Sequence, residues 1–203
     1  TGWVNWGMYR AMLHTKNSIG GLLEPYKHIG YLYYRKFEAN NKPMPVAIAI
    51  GMEPICSLVA LTPESYGQNE VELAGALRGE PVELVKCETV DLEVPATSEI
   101  VIEGEIYPHE RVFEGPFGEF TGYRASPRDR RPVIRVKAVT YRNDPILTMS
   151  CMGVPVDDCH APQSVTSGGE LLVELKRKGV PVRDLAIYPE CALFLTVVSV
   201  KPP

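Results

Sequence analysis

The sequence predicts an α+β fold built on a small β-barrel or folded antiparallel sheet, with helices outside it. Two observations carry that expectation. From residue 82 onward the chain is dominated by short segments rich in β-branched residues, at 82–87, 89–94, 100–106, 133–141 and 146–152, joined by turn-forming residues. Helical periodicity is confined to two stretches ahead of these segments and one after them, which is not the regular alternation of a doubly wound parallel sheet.

Residues 3–23 mix apolar and polar side chains and contain the turn signals Asn17-Ser18 and Gly20-Gly21, so they read as a pair of short strands. Residues 28–40 form an amphipathic helix, with Tyr31, Tyr34 and Phe37 near helical spacing and Asn40-Asn41-Lys42-Pro43 closing it. A buried strand follows at 45–51. After the loop Pro63-Glu64-Ser65-Tyr66-Gly67 a second helix spans about 69–77 and ends at Arg78-Gly79. Beyond the β-rich region, 165–178 reads as a helix ended by Gly179 and 193–200 as one more strand. The closing Lys201-Pro202-Pro203 reads as a cut or a linker.

Composition narrows the function. A hydrophobic share of 45% and a charged share of 23% are those of a water-soluble globular chain, and a net charge of −4 argues against a nucleic-acid partner. No apolar run approaches the roughly 20 residues that span a bilayer, and no basic-then-apolar leader opens the sequence, so the expected compartment is the cytoplasm. Cys56, Cys87, Cys151, Cys159 and Cys191 are odd in number and widely spaced, which argues against a disulfide framework and a structural zinc site. Cys159 beside His160 imitates a nucleophile and base, but adjacent residues rarely reach attack geometry and no third member is nearby.

Two constellations remain. In Glu114-Gly115-Pro116-Phe117-Gly118-Glu119-Phe120-Thr121-Gly122-Tyr123 the glycines and the proline break both helix and central strand. Residues five apart point to opposite faces of a strand and diverge by roughly 140° on a helix, so only a folded loop aims Glu114 and Glu119 at one point. Converging carboxylates repel, which lets one carry a proton while the other stays ionised and opens general-acid chemistry; two solvated glutamates on a tight hairpin are the plainer alternative. The second constellation is Asn5-Trp6-Gly7-Met8-Tyr9-Arg10, which places an asparagine and an arginine in an expected strand. His28 and Glu70, each at the start of a helix, could join Asn5 as a mixed nitrogen and oxygen ligand set for manganese or magnesium, or simply cap their helices.

Taken together, these motifs carry a resemblance. Asn5-Trp6-Gly7-Met8-Tyr9-Arg10, Tyr26-Lys27-His28, the run Asn69-Glu70-Val71-Glu72-Leu73-Ala74-Gly75-Ala76-Leu77-Arg78-Gly79, and Glu114-Gly115-Pro116-Phe117-Gly118-Glu119 with Thr121-Gly122-Tyr123 stand in the order and spacing of the prenylated-flavin-dependent decarboxylases. From residue 5 to about 152 the chain resembles this UbiD-like family. The resemblance implies a flavin-binding split β-barrel, like that of flavin reductases, over residues 1–158. It makes 159–203 a connecting helix and strand that lead toward a further C-terminal domain.

It also implies roles. Asn5, His28 and Glu70 would hold Mn2+ (or Mg2+) against the phosphate of prenylated FMN. The main-chain carbonyls of Trp6, Val59, Ala60 and Thr62, with Glu70 bridging, would hold K+ (or Na+). Such cations would do the work of a phosphate-binding loop, since the sequence has no G-x-x-x-x-G-K-[ST] motif. Arg10 would keep Glu114 charged and steady a substrate carboxylate or the cofactor's modified ring, Glu119 would carry the proton, and Lys27 could help to balance the phosphate. The implied activity is reversible decarboxylation of an aromatic, heteroaromatic or α,β-unsaturated acid with exchange of CO2. The alternative is a non-catalytic flavin-binding or assembly domain that relies on a partner chain. A flavin prenyltransferase would supply the cofactor, and the full-length protein would form a homo-oligomer.

Overall fold

The two longest strands form within the β-rich region. In the computed structural model, which describes residues 2–63, 65–119, 122–124 and 126–201, β6 (Ile100–Glu114) and β7 (Asp129–Tyr141) pair antiparallel along nearly their whole length. They form the centre of a five-stranded sheet with β1 (Ala11–Thr15), β2 (Ser18–Gly21) and β3 (Met44–Ile50), in the order β1-β2-β7-β6-β3. Every pairing in it is antiparallel. Its two edges, β1 and β3, are not hydrogen-bonded to each other, so among the described residues the sheet stays open and no closed barrel forms. Two separate ribbons are also formed: β4 (Leu84–Lys86) with β5 (Glu93–Pro95), and β8 (Val182–Tyr188) with β9 (Leu195–Val200).

The first helix is broken into three geometries: α1 (His28–Tyr31), a π-turn at Leu32–Phe37 and a 3-10 turn at Glu38–Asn40. Its buried side, Leu32 and Tyr33, joins Ile19, Leu23, Met44, Ile106 and Ile134 in the core. Helix α2 (Pro54–Leu61) was not legible in the sequence because Pro-Ile-Cys-Ser-Leu-Val-Ala-Leu is apolar on nearly every side and has no periodicity to read. Helix α3 (Glu70–Arg78) is well specified. The Asn69 side chain accepts from Val71 N at 3.1 Å, Glu70 and Glu72 occupy the positive first turn, and Gly79 ends it at φ 81°, where a Cβ would be strained. Arg78 then ties α3 to Glu53, the residue just ahead of α2, at 3.1 Å.

Several expectations fail in instructive ways. Gly20 and Gly21 are not a turn but lie inside buried β2, where a Cβ on Gly20 would stand 2.9 Å from His14 Nε2; the hairpin turns at Lys16-Asn17 instead. Residues 146–152 form no strand: β7 stops pairing at Tyr141, opposite the first residue of β6, so the ladder offers nothing further to bond. Strand β8 was missed altogether. Helix α4 (His160–Arg177) starts five residues earlier than expected, because Asp157 accepts the N–H groups of Cys159 and His160 at 2.8 and 2.9 Å. Phe120 and Thr121 of the glutamate motif, Glu64, Pro202 and Pro203 lie outside the described residues.

A bulge in β6 has consequences for the site. Pairing with β7 is interrupted between Ile106 and Arg111, where His109 adopts φ 62°. Glu38 Oε1 fixes this bulge by accepting from His109 N (2.8 Å), Arg111 Nη2 (2.7 Å) and Tyr33 Oη (2.8 Å). Pairing then resumes at Arg111 opposite Pro132 and runs to Glu114 opposite Asp129.

Candidate active site and cation cluster

Glu114 is the last residue of β6, and its side chain is only 1% exposed. Burying a carboxylate there requires a counter-charge, and Arg10, just ahead of β1, provides one. Arg10 Nε and Nη2 donate to Glu114 Oε1 and Oε2 at 3.1 and 3.0 Å, a two-point fork. Its remaining arm, Nη1, donates to Glu119 Oε1 at 3.0 Å. Although partial burial works against the guanidinium's charge, the two carboxylates outweigh it and hold Arg10 above its ordinary pKa. The backbone does aim both glutamates at one point, as their spacing requires. Glu114 ends a strand, however, and only the following residues are irregular.

This loop has further supports. Gly115 N donates to Met12 Sδ at 3.3 Å, and the Arg10 guanidinium lies 4.9 Å from the centre of the Phe117 ring. Glu119 differs from Glu114 in being 26% exposed and held by a single arm of Arg10. One carboxylate is therefore held at two points and the other at one.

The second cluster forms around Glu70. As the first residue of α3 it sits at the positive end of a helix, which helps it stay 2% exposed. Its Oε1 accepts from Asn5 Nδ2 at 2.8 Å, its Oε2 from Trp6 N at 3.1 Å, and His28 Nδ1 stands 3.6 Å from Oε1. No lysine or arginine pairs with it among the described residues. A buried carboxylate met only by neutral donors and one imidazole is a natural cation ligand, so the residues present fit a divalent ion. Among the described residues no group of three or more His, Cys, Asp or Glu is gathered for a metal, at this cluster or away from it; only His28 and Glu70 of those types meet here.

Neighbours given no role in the sequence reading surround this cluster. Tyr9 Oη donates to Asn5 Oδ1 at 2.9 Å; burial, reinforced by the Glu70 charge, pushes the Tyr9 phenol up to about 12. His28 lies between aromatic rings, with Trp3 at 5.2 Å edge-on and Tyr66 at 4.7 Å. These partners come from a loop fold-back and a remote segment, and no periodicity marks them.

The expected monovalent set is only partly assembled. Val59, Ala60 and Thr62 cluster at the C-terminal end of α2, the negative end of that helix, and α2 packs against α3. Val59 O accepts from Thr62 N at 3.0 Å, and Trp6 O accepts from Asn5 Nδ2 at 2.7 Å. Among the described residues no hydrogen bond joins the α2 residues to Trp6 or Glu70. Lys27 is exposed beside His28, its Nζ 5.9 Å from the Tyr26 ring. A cavity of about 300 Å3 brings Asn5, Trp6, Tyr9 and Arg10 together with Ile48 of β3 and Ala60 of α2.

Cys159 and His160 do not form a catalytic pair. His160 Nδ1 contacts Asp157 at 2.7 Å, while the Cys159 thiol is pushed up by burial and by the Asp157 charge. All five cysteines are free. No helix is long and apolar enough to cross a membrane among the described residues.

Residues 1–155 match the family described as "UbiD: 3-octaprenyl-4-hydroxybenzoate carboxy-lyase Rift-related domain". The chain is 40% identical over 172 residues to a phenolic acid decarboxylase of Bacillus subtilis, covering 85% of this chain and 36% of that protein. It is 35% identical over 198 residues to the pyrrole-2-carboxylic acid decarboxylase of Pseudomonas aeruginosa, covering 98% and 40%. Among solved structures, the evolved dimeric UbiD-class enzyme HmfF from Pelotomaculum thermopropionicum, in complex with prFMN, superposes with a TM-score of 0.85 at 34% identity, covering 98% of this chain and 46% of that one. Vanillic acid decarboxylase of Sedimentibacter hydroxybenzoicus in closed form superposes at 0.87 and 34% identity, covering 96% and 41%. The chain thus spans less than half the length of these relatives.

Proposed function

Because the chain belongs to the UbiD carboxy-lyase family, we propose that it is the cofactor-binding and proton-transferring part of a decarboxylase acting on an aromatic, heteroaromatic or α,β-unsaturated carboxylic acid. The observation that carries this reading is the grip of one arginine on two unequal carboxylates, Glu114 buried and Glu119 partly exposed. In this reading residues 1–158 are the prenylated-FMN domain, with the sheet as part of a split barrel, and 159–203 connect it to a further domain.

Asn5, His28 and Glu70 hold Mn2+ or Mg2+ beside the cofactor phosphate, with Lys27 adding charge from the surface. The carbonyls of Trp6, Val59, Ala60 and Thr62, together with Glu70, hold K+ or Na+. The negative end of α2 and the buried Glu70 carboxylate support that assignment. Prenylated FMN, when bound, supplies the electron sink that makes loss of CO2 feasible. The chain's own residues do the rest. Arg10, locked to Glu114, orients the substrate carboxylate over the cavity. Glu119, held by one arm only, delivers a proton to the carbon that loses CO2 and removes it in the reverse direction. A flavin prenyltransferase provides the cofactor, and the full-length protein is a cytoplasmic homo-oligomer.

The test is reconstitution with prenylated FMN, manganese and potassium, followed by isotope exchange of labelled CO2 into a panel of unsaturated and aromatic acids. Exchange in the wild type and its loss in Glu119→Gln are expected. Undiminished exchange in the variant removes the proton-transfer role. Cofactor uptake without exchange in the wild type favours a binding or assembly domain that needs a partner chain.

A further inference from the structure

His28 brings an imidazole to the cluster around Glu70, yet among the described residues neither of its ring nitrogens is hydrogen-bonded. Its Nδ1 stands 3.6 Å from Glu70 Oε1, beyond hydrogen-bonding range, so that contact does not fix the plane of the ring. A histidine that binds a metal needs its ring held, and the usual means is a hydrogen bond to its second nitrogen. Here aromatic rings take that place. Trp3 meets the imidazole edge-on, with centroids 5.2 Å apart and planes at 74°, and Tyr66 lies 4.7 Å away at 51°. Trp3 and Tyr66 touch each other at 6.2 Å, which closes the three rings into a triangle.

The hydrogen bonds of these two aromatics run between the three segments that carry Asn5, His28 and Glu70. Trp3, two residues before Asn5, donates from Nε1 to the carbonyl of Gln68, two residues before Glu70, at 2.7 Å. Tyr66, in the same loop as Gln68, donates from Oη to the carbonyl of Tyr26, two residues before His28, at 2.9 Å. Residues 2–10, 25–27 and 65–69 belong to no helix or strand, so no ladder sets the distances between them. We infer that Trp3 and Tyr66 are positioning residues for the divalent ion: they clasp the His28 imidazole and hold the three segments in register, so that the ion meets groups already in place. Tyr66 is the cleaner of the two to test, because it is 55% exposed and lies outside the core, whereas Trp3 also packs against it.

This inference rests on the divalent site assigned under Proposed function, and the test separates the two. Free manganese is followed by its paramagnetic resonance signal during titration of the cofactor-free chain. Tyr66→Ala is expected to weaken manganese binding about tenfold or more, the usual effect of losing a group that orients a metal ligand. Tyr66→Phe keeps the ring beside His28 and loses only the contact with Tyr26, so a loss of about threefold at most is expected. A second readout is the nitrogen modulation of the electron spin echo from bound manganese, which reports a coordinated imidazole. It is expected to fade in Tyr66→Ala and persist in Tyr66→Phe, while the urea midpoints of both metal-free variants stay close to that of the wild type.

No manganese uptake by the wild type, or equal uptake by His28→Ala, overturns the divalent site and this inference with it. Uptake that depends on His28 but is unchanged in Tyr66→Ala overturns the clasp alone. So does a loss that is equal in Tyr66→Phe, or one that leaves the nitrogen modulation at full strength. Where Tyr66→Ala does not fold, the wild type decides through its His28 imidazole C–H resonances. Ring-current displacement before any ion is added, kept when Mg2+ binds, supports the clasp, and random-coil positions overturn it.

Discussion

Arg10 meets Glu114 edge to edge, Nε to Oε1 at 3.1 Å and Nη2 to Oε2 at 3.0 Å, leaving one guanidinium arm for Glu119. A lysine at position 10 keeps the charge but cannot make both contacts and still reach Glu119. Arg10→Lys is therefore expected to lower CO2 exchange by about 100-fold or more, the lower bound of a positioned proton-transfer contribution. Circular dichroism should show the fold retained. Exchange within a few-fold of wild type would mean that the fork is structural only.

Glu114 and Glu119 should separate in stability measurements. Glu114→Gln places an amide in a buried two-point grip, removing a hydrogen bond between charged groups worth roughly 1.5–3 kcal/mol. Glu119→Gln alters a single contact on a side chain that is 26% exposed, where an ion pair contributes about 0–1 kcal/mol. Urea unfolding of the two variants checks the ordering, and a reversed order would contradict the division of labour between them.

Glu38 organises the bulge that returns β6 to pairing ahead of Glu114. Glu38→Ala leaves Arg111, Tyr33 Oη and His109 N without their shared acceptor. It is expected to cost roughly 1.5–3 kcal/mol for the charged hydrogen bond alone. Amide exchange should quicken along residues 106–114 before it does so in β3. Uniform loosening of the whole sheet would argue against a local role.

Acid should weaken the start of α4 through Asp157. Burial opposes its charge, but hydrogen bonds from Gly153 N, His160 N, Cys159 N and the His160 ring outweigh burial and lower its pKa well below the usual carboxylate range. A lowered native value gives stability that is present above the unfolded-state value of about 4 and is lost as pH falls below it. At neutral pH, Asp157→Ala is expected to cost about 0.5–2 kcal/mol, the usual cost of a lost helix cap. Thermal unfolding at pH 7 and pH 3 should show the gap between wild type and variant narrowing in acid. A gap independent of pH would show that the charge is immaterial.

Much of the site was legible because its residues sit where local rules place them. Glu70 follows a capping asparagine, His28 opens a helix, and the Gly-Pro-Phe-Gly segment brings Glu119 back towards Glu114. What escaped depends on contacts far apart in sequence or on backbone irregularity. The Tyr9 contact with Asn5 arises from a fold-back without regular structure, and the Met12 support of Gly115 spans the sheet. Strand pattern was likewise an imperfect guide. The segment 146–152 has strand-like composition but no ladder to join, whereas α2 is helical without an amphipathic face to announce it.

The β8–β9 ribbon sets a practical limit on handling the chain. All six residues of β9 are exposed, Val197, Val198 and Val200 among them, and among the described residues each strand of the ribbon pairs only with the other. Both outer edges present open hydrogen-bonding rows beside β-branched side chains, the combination that templates edge-to-edge self-association. Self-association should rise steeply with concentration. A lysine on the outer face of β9 is the substitution to suppress it, remote from every residue assigned to the chemistry.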